Sequence, residues 1–236
     1  MSDKTVSSPG EADRNALERV SADPVSRRRF FTLAGGTGAA AAFLVACGDD
    51  DGMSGTGSTS TDTDTPPPMD SSNPLAQFGE GDIGIVNYAL TLEYIEAAFY
   101  ADVIKSGLFK GQELALLKEI GRNEDEHVTA LTAAVKQAGA QPAPKPKTKF
   151  PLESAQSVVA LAAEVENLGA AAYLGQAPAI KSKAILASAL AIHSVEGRHA
   201  AALNSLAGET ITPDGAFAKP ADPTTVLDAV QPFLVK

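Results

Sequence analysis

Glu124-Asp125-Glu126-His127-Val128 and Glu196-Gly197-Arg198-His199-Ala200 carry one pattern, Glu-x-x-His, twice, 72 residues apart. Upstream of each lies a second matched pair. Glu93-Tyr94-Ile95-Glu96-Ala97-Ala98-Phe99-Tyr100 aligns with Glu166-Asn167-Leu168-Gly169-Ala170-Ala171-Ala172-Tyr173 at an offset of 73, with Glu, Ala, Ala and Tyr coinciding. Each half therefore reads Glu, then Tyr seven residues on, then Glu-x-x-His in the next segment. A spacing of three residues puts Glu and His one turn apart on one face of a helix. Two of the three histidines in the chain lie in this pattern.

The apolar spacing around these residues is helical. The stripes are Leu117, Ile120, Glu124, His127 and Leu131 in one segment, and Ala189, Ile192, Glu196, His199 and Leu203 in another. Val86, Ala89, Glu93 and Tyr100 form a third, and Val159, Ala163, Glu166 and Tyr173 a fourth. In each a Glu stands where a core residue belongs. Ionised Glu is almost never buried unless it is paired. Four such carboxylates would repel one another, and each costs several kcal/mol when left uncompensated. Two divalent cations cancel the four charges, and two neutral imidazoles complete the set without adding any. Carboxylate with imidazole suits iron or manganese, and zinc less well.

Four helices follow from the segmentation, at about 82–105, 111–138, 154–175 and from near Ala179 to just before Gly208. Gly107, Gly139 and Gly208 are natural stops. The first two helices, and the last two, are joined by short loops and pair antiparallel. Between the pairs runs 141–151, with Pro at 142, 144, 146 and 151, which excludes helix. The fold class is an all-α four-helix bundle of two antiparallel pairs joined by a long crossover. A Pro-rich C-terminal tail, with one short helix over 223–233, is expected on the outside of the bundle.

The chain bears a formal net charge of −10, with no basic stripe, so a nucleic-acid partner is not expected. A single cysteine, Cys47, excludes an internal disulfide framework and a Cys-rich zinc site. Ser26-Arg27-Arg28-Arg29-Phe30-Phe31-Thr32 leads into an uncharged Ala/Gly-rich stretch that ends in Leu44-Val45-Ala46-Cys47. That is the layout of an export signal. Arg27 and Arg28 resemble the pair of a twin-arginine signal, and Leu-Val-Ala-Cys resembles a bacterial lipobox in which Cys47 becomes the lipidated N-terminus. Seventeen residues rich in Gly and Ala make a marginal membrane span. Gly35-Gly36-Thr37-Gly38 is no phosphate loop, because no Lys follows it. Residues 1–47 are thus read as a signal, 48–77 as a flexible Ser/Thr/Asp/Pro-rich tether, and 78–236 as the folded domain. The expected location is periplasmic or at the cell surface, on a lipid anchor.

Leu92-Glu93-Tyr94 with Phe99-Tyr100, Glu126-His127-Val128, Ala171-Ala172-Tyr173-Leu174-Gly175, and Val195-Glu196 with His199-Ala200-Ala201 resemble the ferritin-like superfamily. Within it they resemble the desiccation-related, or ferritin-like-domain, proteins, as does the tail with Phe217, Pro220, Val226 and Phe233. The resemblance implies a di-metal centre. Glu93, Glu124 and His127 would hold one ion, and Glu166, Glu196 and His199 the other. Glu124 with either Glu166 or Glu196 would bridge. It further implies iron or manganese chemistry on oxygen or peroxide in envelope stress protection, with a homodimer allowed. The competing function is a non-catalytic metal-binding stress protein. Glu96 lies one turn beyond Glu93 on a neighbouring face and reads as an extra ligand or a supporting carboxylate, although its repeat partner is Gly169. Tyr100 and Tyr173 read as core aromatics or hydrogen-bond donors to a ligand. His193 reads as a packing or surface residue, and Glu126 and Glu164 as solvated.

Overall fold

A computed structural model describes residues 73–235. Arg27, Arg28, Cys47, the signal segment 1–47 and the tether residues 48–72 lie outside the described residues. Among the described residues five α-helices follow one another: α1 (Gly81–Ser106), α2 (Gly111–Gln137), α3 (Ala155–Gln176), α4 (Lys183–Ala207) and α5 (Pro223–Val230). Single 3-10 turns occur at Ala76–Phe78, Ala177–Ala179 and Gln231–Phe233.

Local chemistry sets the ends. Gly107 and Gly208 adopt the left-handed conformation that closes α1 and α4. Ser154 and Ser157 form a capping box at the start of α3. The fourth helix begins at Lys183, later than the expected start near Ala179. Pro178 sits in a 3-10 turn, and the Ser182 side chain caps the helix by accepting the Ile185 N–H. Asp82 fixes this turn to the start of α1, where its carboxylate accepts the N–H groups of Lys181 at 2.9 Å and Ser182 at 2.7 Å.

Each helix pair runs antiparallel. Glu93 of α1 lies beside His127 of α2, while further along α1 Tyr100 meets the earlier Gly121. A Cβ on Gly121 would stand 2.8 Å from the Tyr100 Cβ, so the glycine permits this approach. On the other pair, Glu166 lies beside His199 and Ala170 beside His193.

The crossover, 138–154, is pinned at both ends. Buried Asn87 donates to the carbonyls of Phe78 (3.0 Å) and Gln141 (3.2 Å) and accepts the Ala143 N–H at 2.8 Å. At the far end Phe150 enters the core between Phe99 and Phe233, with ring centroids 5.2 and 5.6 Å away. Lys149 N–H donates to Phe233 O, and Val235 N–H to Lys147 O, both at 2.9 Å, so the tail and the crossover hold each other. The tail also ties to α3 through the Ala221 N–H and the Ala171 carbonyl, and α5 buries Val226 and Val230.

Two apolar clusters fill the interior. One gathers Leu92, Ile95, Phe99, Leu117, Ile120 and Leu203. The other gathers Val86, Ala89, Leu90, Leu131, Val135 and Ile192. Glu93, Glu124 and His127, Glu166, and Glu196 with His199 fall between them along their helices. α3 is apolar and long enough to cross a membrane, yet Val158, Ala162 and Ala172 on it are core residues of the bundle.

Phe150→Ala is expected to cost about 3 kcal/mol, since it removes a buried ring and leaves a cavity where crossover, bundle and tail meet. Urea unfolding measures this. A loss below about 1 kcal/mol would mean that the crossover is not held by its aromatic anchor.

Candidate metal centre

Glu93, Glu124, Glu166 and Glu196 have no exposed surface, and His127 and His199 are 9% and 6% exposed. Their ligand atoms form two overlapping groups. Glu93, Glu124, His127 and Glu196 make one, and Glu124, Glu166, Glu196 and His199 the other, with the atoms of each group within 4.8 Å of one another. The six residues singled out by the repeat therefore converge. Glu124 and Glu196 belong to both groups, which places the Glu-x-x-His carboxylates in the middle and Glu93 and Glu166 at the two ends.

Each imidazole turns Nδ1 inward. His127 Nδ1 lies 2.9 Å from Glu124, 3.1 Å from Glu196 and 3.2 Å from Glu93. His199 Nδ1 lies 2.9 Å from Glu124 and 3.2 Å from Glu166. The tyrosines cross the bundle reciprocally. Tyr100 of α1 donates to Glu166 of α3, and Tyr173 of α3 donates to Glu93 of α1, both at 2.5 Å. They are core aromatics and hydrogen-bond donors at once. His193 bonds the Ala170 carbonyl and packs α4 on α3. Glu126 and Glu164 are exposed.

Four hydrogens, one from each Nδ1 and each phenol, face four carboxylates with two oxygens apiece. The shortfall shows directly. Glu124 Oε1 and both oxygens of Glu196 are buried with no aligned hydrogen-bond partner, although imidazole nitrogens approach Glu124 Oε1 and Glu196 Oε1. Buried acceptors left in this way cost free energy that a cation would recover. The donor set is oxygen and imidazole nitrogen without sulfur, which fits a divalent metal ion such as iron, manganese or zinc.

Residues 81–209 match the ferritin-like domain family, more than half of the chain. The chain belongs to that family. A search of the curated proteins gives no match. The buried carboxylate and histidine cluster of this ferritin-like domain is compatible with a di-metal site.

Two features of the ferritin-like centre escaped the sequence. Asn123 lies 3.0 Å from His199 Nε2. The Asn123 amide nitrogen faces Nε2 and donates to it while the hydrogen is on Nδ1; when Nδ1 is bare for a metal, Nε2 carries the hydrogen and the amide turns over to offer its oxygen. Its counterpart in the repeat is Val195, so no symmetry signal marked it. The second feature is the burial of Glu96, only 2% exposed, where the helical pattern put it on a neighbouring face.

Without metal, the centre holds itself together with protons. Burial works against an imidazolium at His127, but the carboxylates of Glu124, Glu196 and Glu93 outweigh it and carry its pKa up to about 12. His199 behaves likewise through Glu124 and Glu166, reaching about 9. Burial pushes Glu93 up to about 7 despite His127. Glu124 is also disfavoured by burial, yet its two imidazoles bring it down to about 2. Burial, and then Glu93, drive Glu196 well above the usual carboxylate range.

These shifts set a pH dependence. Glu93 and His199 hold a proton more tightly folded than unfolded. The Glu93 contribution is complete below its ordinary 4.5 and is lost as pH rises through about 7. That of His199 is complete below 6.5 and is lost through about 9. Glu124 acts oppositely, complete above 4.5 and lost as pH falls through about 2. The metal-free protein should therefore be most heat-stable near about pH 5 and lose Tm steadily toward about pH 9. A divalent cation needs the same atoms unprotonated, so the Tm gain on adding it should widen over that interval. A metal-free Tm that stays flat across the range would contradict this charge assignment.

Proposed function

We propose that the chain is an exported, lipid-anchored oxidoreductase of the desiccation-related branch. Its centre would hold two iron or manganese ions and act on dioxygen or peroxide in protection of the cell envelope. The observation that carries the reading is the pair of overlapping ligand groups that share Glu124 and Glu196. Glu93 and His127 would serve one ion, and Glu166 and His199 the other. When bound, a pair of redox-active ions supplies electrons to oxygen or peroxide, chemistry that no side chain here provides.

The chain's own part is to bind, orient and exclude water. Tyr100 holds Glu166, and Tyr173 holds Glu93, so each terminal carboxylate is aimed from across the bundle. Asn123 orients His199. The apolar clusters on either side keep bulk water out and so strengthen electrostatic contacts within the layer.

Export rests on the Arg27-Arg28 and Leu-Val-Ala-Cys47 patterns. A twin-arginine route carries folded protein, which would allow metal loading before transport. Without residues 1–46 the remaining chain has 13 basic and 24 acidic residues, an excess that favours cation capture.

Protein purified from its own export pathway should contain about two Fe or Mn ions per chain. Glu124→Ala, which removes a shared ligand, should lower that to less than one while helicity persists. Unchanged metal content in this variant would overturn the site. With metal present, consumption of oxygen on adding Fe(II), or decay of added peroxide, marks the enzyme. Bound metal without either reaction marks a structural binder instead. Arg27→Lys with Arg28→Lys should leave unprocessed precursor in the cytoplasm, and Cys47→Ala should release the protein from the membrane fraction. A lipid-anchored product in either case would contradict the route.

A further inference from the structure

Among the described residues, five glutamates are buried. Four belong to the two ligand groups, and the fifth is Glu96, one turn along α1 from Glu93. No hydrogen bond reaches its carboxylate among the described residues. Burial, and then the charges of Glu196, Glu93, Glu166 and Glu124 in that order, hold its pKa well above the usual range. A side chain so placed is costly for a stable fold. Leu or Met there would complete the apolar cluster beside it.

The two halves of the repeat differ at this position in a way that fits together. The counterpart of Glu96 is Gly169 on α3, and the two meet in space. A Cβ on Gly169 would stand 2.6 Å from Glu96 Oε1 and 3.4 Å from Glu196 Oε2. The missing side chain of Gly169 is thus the room in which the Glu96 carboxylate sits, against an edge of Glu196. Glu96 and Gly169 also line a cavity of about 10 Å³, walled by Leu92, Ile95, Val165 and Leu168, about the space of one water. The carboxylate thus lies near both that cavity and Glu196 of the ligand layer.

We propose that Glu96 is a seventh ligand of the centre, an oxygen donor that one side-chain rotation brings onto a divalent cation held by Glu196. The proposal rests on the di-metal reading. It makes the two ions inequivalent, because only the α1 half of the repeat supplies the additional carboxylate. It also gives the layer five carboxylates in place of four. The added negative charge offsets a higher oxidation state at one ion better than four carboxylates would.

Equilibrium titration of the full metal-free chain with Mn(II), read by the loss of the free-ion magnetic resonance signal, tests this. The native protein should bind two ions. Glu96→Gln keeps shape and removes the donor charge, so it should weaken one of the two by about tenfold or more and leave the other within about twofold. Gly169→Ala leaves Glu96 in place but fills its room, and should produce the same single-site loss. Two ions bound with native affinity in Glu96→Gln would overturn the proposal and leave the di-metal reading standing. No Mn(II) bound by the native protein would overturn both. The Glu96→Gln chain should be at least as heat-stable without metal as the native one, since it loses an unpaired buried acid. A markedly lower Tm would show that Glu96 serves the fold instead.

Discussion

Four carboxylates without exposed surface face one another across the middle of the bundle, with two imidazoles and two tyrosine hydroxyls as their nearest polar neighbours. Gathering that much like charge away from water costs several kcal/mol per group unless something answers it. In the metal-free protein the answer is protons, held on His127, His199 and Glu93 well beyond their ordinary pH range. That answer is incomplete, because Glu124 Oε1 and both Glu196 oxygens remain unsatisfied. The same layer separates the two apolar clusters, so the cost is borne at the point where the fold could least avoid it and where an ion would be best shielded.

The bundle is built around this layer with approximate twofold logic. Glu93 and Glu166 exchange tyrosines across the bundle, and each Glu-x-x-His stands on the helix that follows. The symmetry then breaks in three places. Asn123 supports His199, while Val195 occupies the matching position. Glu96 faces Gly169. The crossover and tail brace one another through Lys147, Lys149, Phe233 and Val235. Near-symmetry sets two overlapping ligand groups side by side, and the departures make their surroundings different.

Much of this was legible because the decisive residues broke a pattern. A Glu inside an apolar helical stripe is conspicuous, and the repeat register tied four of them to two histidines. Helix ends were legible where Gly107, Gly208 and the Pro-rich crossover enforce them. The start of α4 was not, since Pro178 and the Ser182 cap compete over a few residues, and only the contact of Asp82 with that turn settles the outcome. The burial of Glu96 was missed because a helical wheel assigns faces within one helix, whereas Gly169 on another helix opens the space. The roles of Asn123 and of the tyrosine hydroxyls depend on distances between helices, which spacing along one helix cannot carry. The choice between Glu166 and Glu196 as the carboxylate that joins Glu124 in both groups is of the same kind.

Crystals of the protein loaded with Mn(II) or Fe(II), measured at the absorption edge of the metal, reveal whether the buried layer holds cations. Two anomalous peaks are expected inside the layer, each in contact with Glu124 and Glu196, one beside His127 and the other beside His199. A layer without anomalous density, with metal only on surface carboxylates, would contradict the di-metal reading.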